Sequence, residues 1–170
     1  DRITNLDSFF YSWISGGGSS FLGNFFNYLS SPLSLIVLLF DKNQIGYAIT
    51  TLVLVKGALS AGAFAYFLKE SFGRHSYISA SFGAFYALSG YFLAYYWNIM
   101  WIDGMIWLPL VALGIERIIN QGKCRLYIIS LSILLFSTYY IGYMVCIFSV
   151  LYFFVYYVSH RGFDEVIKEY

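Results

Sequence analysis

The chain is predicted to be an all-α, polytopic transmembrane helix bundle with an extracytoplasmic loop that bears short interfacial helices. Three observations predict it. Of the residues, 59% are hydrophobic and only 11% charged, well outside the range of soluble domains. The apolar residues fall into blocks close to the roughly 20 needed for a helix to cross a bilayer. The sequence lacks the alternating segments of about ten residues that mark a membrane β-barrel.

Residues 1–44 form the loop. "SWISGGGSSFLGNFFNYLSSP" is too interrupted by Gly, Ser and Asn for a buried helix. Its aromatics suit a membrane surface, with short helices expected around Phe21–Leu29 and Leu33–Phe40. Pro32 fits the first turn of the second, and "PLSLIVLLF" is too short to cross. The bundle, about five membrane segments, occupies 45–158. Ile45–Leu68 is the first span. "KESFGRHS" follows, then a span over Ile78–Trp97. "NIMWID" reads as a turn, and Gly104–Ile119 as a slightly short span kinked at Pro109. The last apolar stretch, Leu126–Val158, would be about 50 Å long as one straight helix, far more than the bilayer core requires. "STYYIGY", Ser137–Tyr143, interrupts it, so a hairpin whose tip stops short of the far surface is expected; the alternative is one long tilted helix. Residues 159–170 form a cytoplasmic tail or the start of a further segment. The chain starts at Asp1 without Met or signal peptide and reads as a piece of a longer membrane protein.

Basic residues mark cytoplasmic loops. Lys69 and Arg74 lie in one loop, and Arg117, Lys123 and Arg125 in another, two spans later. This places the N-terminal loop, "NIMWID" and the "STYYIG" tip together on the extracytoplasmic side. The net charge of +1, without a basic tract, suggests no nucleic-acid partner. The 17 Tyr and 17 Phe suit interface belts and core packing, with Tyr also able to line a wet site. Cys124, in a basic loop, and Cys146, deep in an apolar run, are not expected to meet.

Two ionisable residues stand out. Asp103 follows Trp101 and lies between Trp97 and Trp107. At a helix start it could simply cap free N–H groups. It could equally face a polar cavity and bind a sugar hydroxyl, a cation, or a phosphate through a cation, with Asn98 and the three Trp nearby suited to a sugar ring. Lys56 lies roughly 16 Å along its helix, a depth at which an ionisable residue points to function. It could neutralise a lipid phosphate, or meet a structural partner such as a Tyr hydroxyl, a carbonyl or Glu116. Tyr139 and Tyr140, at the expected tip, are further site candidates beside a core-packing role. Glu116 and Arg117 read as interface anchors, and His75 and His160 as structural. The sequence contains no Ser-His-Asp set, metal-ligand pair or phosphate loop.

Four stretches carry a family resemblance: "GGGSSFLGNFFNYLSSPLSLIVLLF", "LVLVKGALSAGAFAYFL", "YALSGYFLAYYWNIMWIDGMIWLPLVALGIERI" and "STYYIGYMVCIFSVLYF". In this order they resemble the YfhO family of bacterial membrane proteins. The resemblance implies a GT-C-type glycosyltransferase that takes a sugar from a polyprenyl-phosphate carrier. The acceptor would be an extracytoplasmic cell-wall polymer such as lipoteichoic acid, lipid-linked or wall-bound, and membrane lipids would surround the protein. By position, Asp103 resembles the second acid of many GT-C proteins and is the catalytic candidate. Lys56, Asn98, Trp101, Tyr139 and Tyr140 are the substrate-binding candidates. A divalent metal is used by some members of that superfamily, so metal dependence stays open. A base supplied from outside this stretch is expected, which would leave residues 1–170 alone inactive. A transporter or flippase, with Lys56 and Asp103 along a pathway, and a non-catalytic scaffold are the competing readings.

Overall fold

A computed structural model describes residues 11–12, 18–20, 23, 30–73 and 76–161. The expected helix at Phe21–Leu29 falls outside them apart from Gly23, as do Arg74, His75 and the tail from 162. Within the Gly/Ser-rich loop, β1 (Tyr11–Ser12) pairs antiparallel with β2 (Ser19–Ser20), a ladder too small to change an all-α architecture. Ser31 is extended and leads into a 3-10 helix, Pro32–Leu39, with Pro in its first turn. The second interfacial helix is thus present in tighter form, its Leu38 and Leu39 exposed.

Six α-helices follow: α1 (Ile45–Phe72), α2 (Ser76–Ala87), α3 (Gly90–Tyr95), α4 (Ile99–Gln121), α5 (Arg125–Ser137) and α6 (Tyr139–Arg161). Three of them, α1, α4 and α6, are long and apolar enough to cross a membrane. The outer faces of α1 and α6 carry exposed Leu54, Val150, Leu151 and Phe154, as expected of surfaces solvated by lipid rather than water.

Two expected boundaries move. The span read over Ile78–Trp97 is two helices, because Ser89 is extended ahead of Gly90 and restarts the chain as α3. Hydropathy alone does not register this break, since Ser and Gly sit inside an otherwise apolar run. The "NIMWID" turn is instead the first turn and more of α4, which starts five residues earlier than expected. Residues Asn98 to Asp103 look like a turn by polarity. From Ile99 onward they are helical, because Asp103 finds a buried partner instead of water.

The last apolar stretch is a hairpin, as its length and central break imply. Thr138, extended, separates α5 from α6. Glu116 meets Tyr152 and Asn120 meets Tyr156, so α6 runs parallel to α4 and α5 antiparallel to both. With 13 residues, α5 rises only about 20 Å, so Thr138 turns below the level a full span would reach. Helices α1 and α4 are also parallel: Lys56 meets Asp103 near one end, and Ser71 and Glu70 meet Glu116 and Arg117 near the other.

Packing around α4 is close. It holds more buried residues than any other helix, and Val111, Ile115, Leu134 and Val145 form a dry core among α4, α5 and α6. Gly114 permits the approach of α5: a Cβ there would lie 2.7 Å from the Tyr127 backbone. Pro109 sits inside α4 and cannot donate to the carbonyl four residues earlier. The Tyr86 hydroxyl donates to that carbonyl, Met105 O, at 3.1 Å. The freed acceptor is satisfied by a neighbouring helix, as membrane helices that contain proline require.

Two outcomes follow. Tyr86→Phe leaves Met105 O unpaired in an apolar setting and should cost about 1–3 kcal/mol. Gly114→Val forces α5 away from α4 and should cost about 1–3 kcal/mol through overpacking. Thermal unfolding of the purified protein in detergent measures both, and an unchanged Tm for Tyr86→Phe would show that Met105 O finds another donor.

Candidate functional site

Lys56 projects from the middle of α1 and Asp103 from the second turn of α4, and both are fully buried. Lys56 Nζ lies 2.9 Å from Asp103 Oδ1 and donates to the backbone carbonyl of Ile99 at 2.9 Å. One of the three ammonium N–H bonds is left over by these two contacts. The helix-capping reading of Asp103 is corrected here. The first turn of α4 contains no acid, and Asp103 lies beyond the turn whose N–H groups are free. Its partner is a cation on another helix. Lys56 lies well inside α1 yet reaches the first turn of α4, where its ammonium meets the Ile99 carbonyl.

The carboxylate has room for more. Oδ1 meets the ammonium off the ideal hydrogen-bond direction, and neither Asp103 oxygen has a hydrogen-bond partner among the described residues. The Ser31 hydroxyl faces the carboxylate without reaching hydrogen-bonding geometry. Ser30, one residue earlier, donates from Oγ to Ser137 O at 3.1 Å. This bond straps the N-terminal loop onto the hairpin tip. Beyond the tip, α6 lies against α4 so tightly that a Cβ on Gly104 would come within 2.6 Å of Ile141 Cγ2. Ser31 thus faces Asp103, while the hairpin meets Ser30 through Ser137 O and α4 through Ile141. The hydroxyls of Ser31, Ser137 and Thr138 are all buried without a hydrogen-bond partner among the described residues.

The other sequence candidates sit around this nest. Asn98 precedes α4 at the N-cap without a side-chain cap bond. Trp101 is partly buried and packs on Tyr95 at 5.3 Å between ring centres. It also borders an apolar cavity of about 320 Å³ shared with Tyr86, Tyr91, Gly104 and Met144. Tyr139 and Tyr140 are at the tip, as expected, but their side chains are exposed, and among the described residues no hydrogen bond or ion pair joins them to Asp103. The tip contributes Ser137 and Thr138 instead. Sequence reading passed over these two and Ser30–Ser31, since single hydroxyl residues in a loop or apolar run carry no pattern.

A second polar layer lies at the other end of α4. Glu116 is buried and accepts hydrogen bonds from Ser71 and from Tyr152, the latter at 2.7 Å. Arg117 bonds Glu70 and Tyr66, each near 2.8 Å or closer. Arg117 ties α4 to α1, whereas Glu116 ties α1, α4 and α6 together. Cys124 and Cys146 are free thiols, as expected. Among the described residues no group of three His, Cys, Asp or Glu could hold a metal.

Breaking the ion pair on one side strands a buried charge, at an expected cost of about 3–5 kcal/mol, whereas an apolar pair of similar volume can restore stability. Lys56→Met should therefore lower the Tm more than Lys56→Met combined with Asp103→Leu. Equal loss in the single and double variants would mean that the two side chains do not face each other.

The full length of the chain fits known relatives. The model of the family described as bacterial membrane protein YfhO matches residues 2–170. A curated relative from Bacillus subtilis (strain 168), "Uncharacterized protein YfhO", is 30% identical over 171 aligned residues. That alignment covers 89% of this chain but 19% of the relative, so the chain spans about a fifth of that protein's length. No solved structure matches. With a family match over nearly every residue and three helices able to span a bilayer, this chain belongs to the YfhO family of bacterial membrane proteins.

Proposed function

We propose that the chain is part of a membrane glycosyltransferase that moves a sugar from a polyprenyl-phosphate carrier to an extracytoplasmic cell-wall polymer such as lipoteichoic acid. The observation that carries this reading is the fully buried Asp103–Lys56 pair, which joins two helices long and apolar enough to cross a membrane. Ionisable residues within a span are costly and mark functional sites. The basic residues Lys123 and Arg125 follow the opposite end of α4, which directs the Asp103 end outward by the positive-inside rule.

In the transfer, the bond between the sugar's anomeric carbon and the phosphate oxygen breaks, and a bond to the acceptor oxygen forms. The acceptor's hydroxyl proton passes to a base, and the phosphate leaves on the lipid. Asp103 orients a sugar or acceptor hydroxyl for this exchange, and Lys56 fixes the carboxylate in place. The dry core of Val111, Ile115, Leu134 and Val145 separates this nest from the Glu116 layer. That supports a site confined to one end of the bundle over a continuous polar path for transport.

The test is reconstitution of the full-length protein with polyprenyl-phosphate sugars and candidate acceptors. Asp103→Asn should lower transfer about 10²-fold or more in protein that still elutes as a monodisperse species. Undiminished transfer by this variant would remove Asp103 from the reaction. Absence of transfer by the wild type with every donor and acceptor would overturn the assignment as a whole.

A further inference from the structure

We propose that the cavity at the α4–α5 turn seats the anionic headgroup of a membrane phospholipid, whose acyl chain lies along the open face of α5. The site is at the opposite end of α4 from Asp103 and takes no part in sugar transfer.

Charge defines the headgroup end. A cavity of about 540 Å³ opens beside the turn, lined by Arg117, Gly122, Lys123, Cys124, Arg125 and Leu126. Arg117 is already bonded to Glu70 and Tyr66. Glu116, its neighbour in sequence, is taken up by Ser71 and Tyr152. Lys123 and Arg125 are exposed, and among the described residues neither makes an ion pair. The cavity thus carries two uncommitted positive charges, while the acids nearest in the fold are already engaged. The turn itself is fixed. Gly122 takes a left-handed φ of 68°, and the Lys123 N–H donates to Arg117 O at 3.2 Å, a helix stop that favours Gly. Lys123 and Arg125 are therefore held at one opening by ordered backbone.

Hydrocarbon defines the other end. Arg125 starts α5, and Ile128, Ile129, Ser132 and Leu135 follow it on the same side of the helix by the three- and four-residue spacing that makes helical neighbours. All five are exposed, whereas Ser130 and Leu134 are buried on the opposite side. The open face is apolar apart from Ser132. It continues for about 20 Å, more than the hydrocarbon depth of one leaflet. Cations at the head of an apolar stripe match a single molecule, an anionic phospholipid. A soluble anion makes no use of the stripe, and a zwitterionic lipid brings a cation of its own to Lys123 and Arg125. The positive-inside rule turns this end to the cytoplasm, where anionic lipids attract basic residues and basic pockets between helices hold their headgroups.

The test uses full-length protein in a neutral detergent, with native mass spectrometry counting bound lipid. The ligands are phosphatidylglycerol, phosphatidylcholine with the same chains, and water-soluble glycerol phosphate. The expected result is saturable uptake of phosphatidylglycerol that phosphatidylcholine does not match. Lys123→Gln and Arg125→Gln should each weaken it about fivefold, and together about 25-fold. Lys123→Arg combined with Arg125→Lys, which keeps both charges, should bind as the wild type does. Lys69→Gln removes an exposed cation at the same end of the bundle but outside the cavity and should change nothing. Equal losses in Lys69→Gln and Arg125→Gln would reduce the effect to diffuse attraction and overturn the site. Unchanged uptake in the double Gln variant would overturn it too, as would equal uptake of phosphatidylcholine. Glycerol phosphate that displaces the lipid at equal concentration would make the cavity a site for free anions and overturn the lipid assignment.

Discussion

The arrangement of this bundle depends on burying Lys56 against Asp103. Two charges withdrawn from water repay their desolvation only with close contact and with hydrogen bonds for the remaining protons. The compact ammonium meets both demands by touching the carboxylate and the Ile99 carbonyl at once. Sliding α1 along α4 by a single residue would turn the lysine to another side of its helix, so the pair fixes both depth and rotation. Its consequences reach outward along the chain. With Asp103 neutralised, the segment from Asn98 can be helical rather than a surface turn. Trp101 and Gly104 are then carried to fixed places on α4, and the hairpin tip can press against Gly104.

The other end of the bundle is held differently. Glu116 is satisfied by two neutral hydroxyls, Ser71 from α1 and Tyr152 from α6, and Arg117 is drawn aside to Glu70 and Tyr66. Helices α1 and α4 are thus pinned at both ends by polar contacts, about 20 Å apart along α4, with an apolar core between, whereas the polar contacts of α6 lie at the Glu116 end. Each end serves a different need. The Glu116 layer is closed, because each carboxylate oxygen has a donor. The Asp103 layer is open in hydrogen-bonding terms, although closed to solvent. A purely structural clasp would resemble the first of these.

Much of the architecture was legible from hydropathy. Apolar blocks marked α1 and α4, and the 126–158 stretch was too long for one helix and broken at the right place. Other features depended on contacts no single segment reveals. Ser89–Gly90 divides a span into α2 and α3, yet its neighbours are as greasy as those of an unbroken helix. Asp103 read equally well as a cap, since only the fold brings Lys56, 47 positions earlier, to meet it. Pro109 suggested a kink relieved by packing, and the relief is a specific one, the Tyr86 hydroxyl on Met105 O. At the tip, conspicuous Tyr139 and Tyr140 drew attention, while the smaller Ser137 and Thr138 turned inward.

That last contrast bears on how such a site could discriminate. Aromatic side chains at a membrane surface offer area, and area is tolerant of small changes in a ligand. A fixed carboxylate is not tolerant, because a ligand that lacks the matching hydroxyl leaves a polar group unpaired in a medium without water. Sites built to hydrogen-bond a hydroxyl reject analogues without it far more strongly than apolar pockets distinguish a methyl group. An ion pair suits this purpose better than a lone acid. Lys56 removes the net charge that would attract any passing cation, yet leaves the carboxylate oxygens able to accept hydrogen bonds. In the proposed transferase, the geometry that makes the pair stable is also the geometry that turns Asp103 from a general attractor into a selective acceptor.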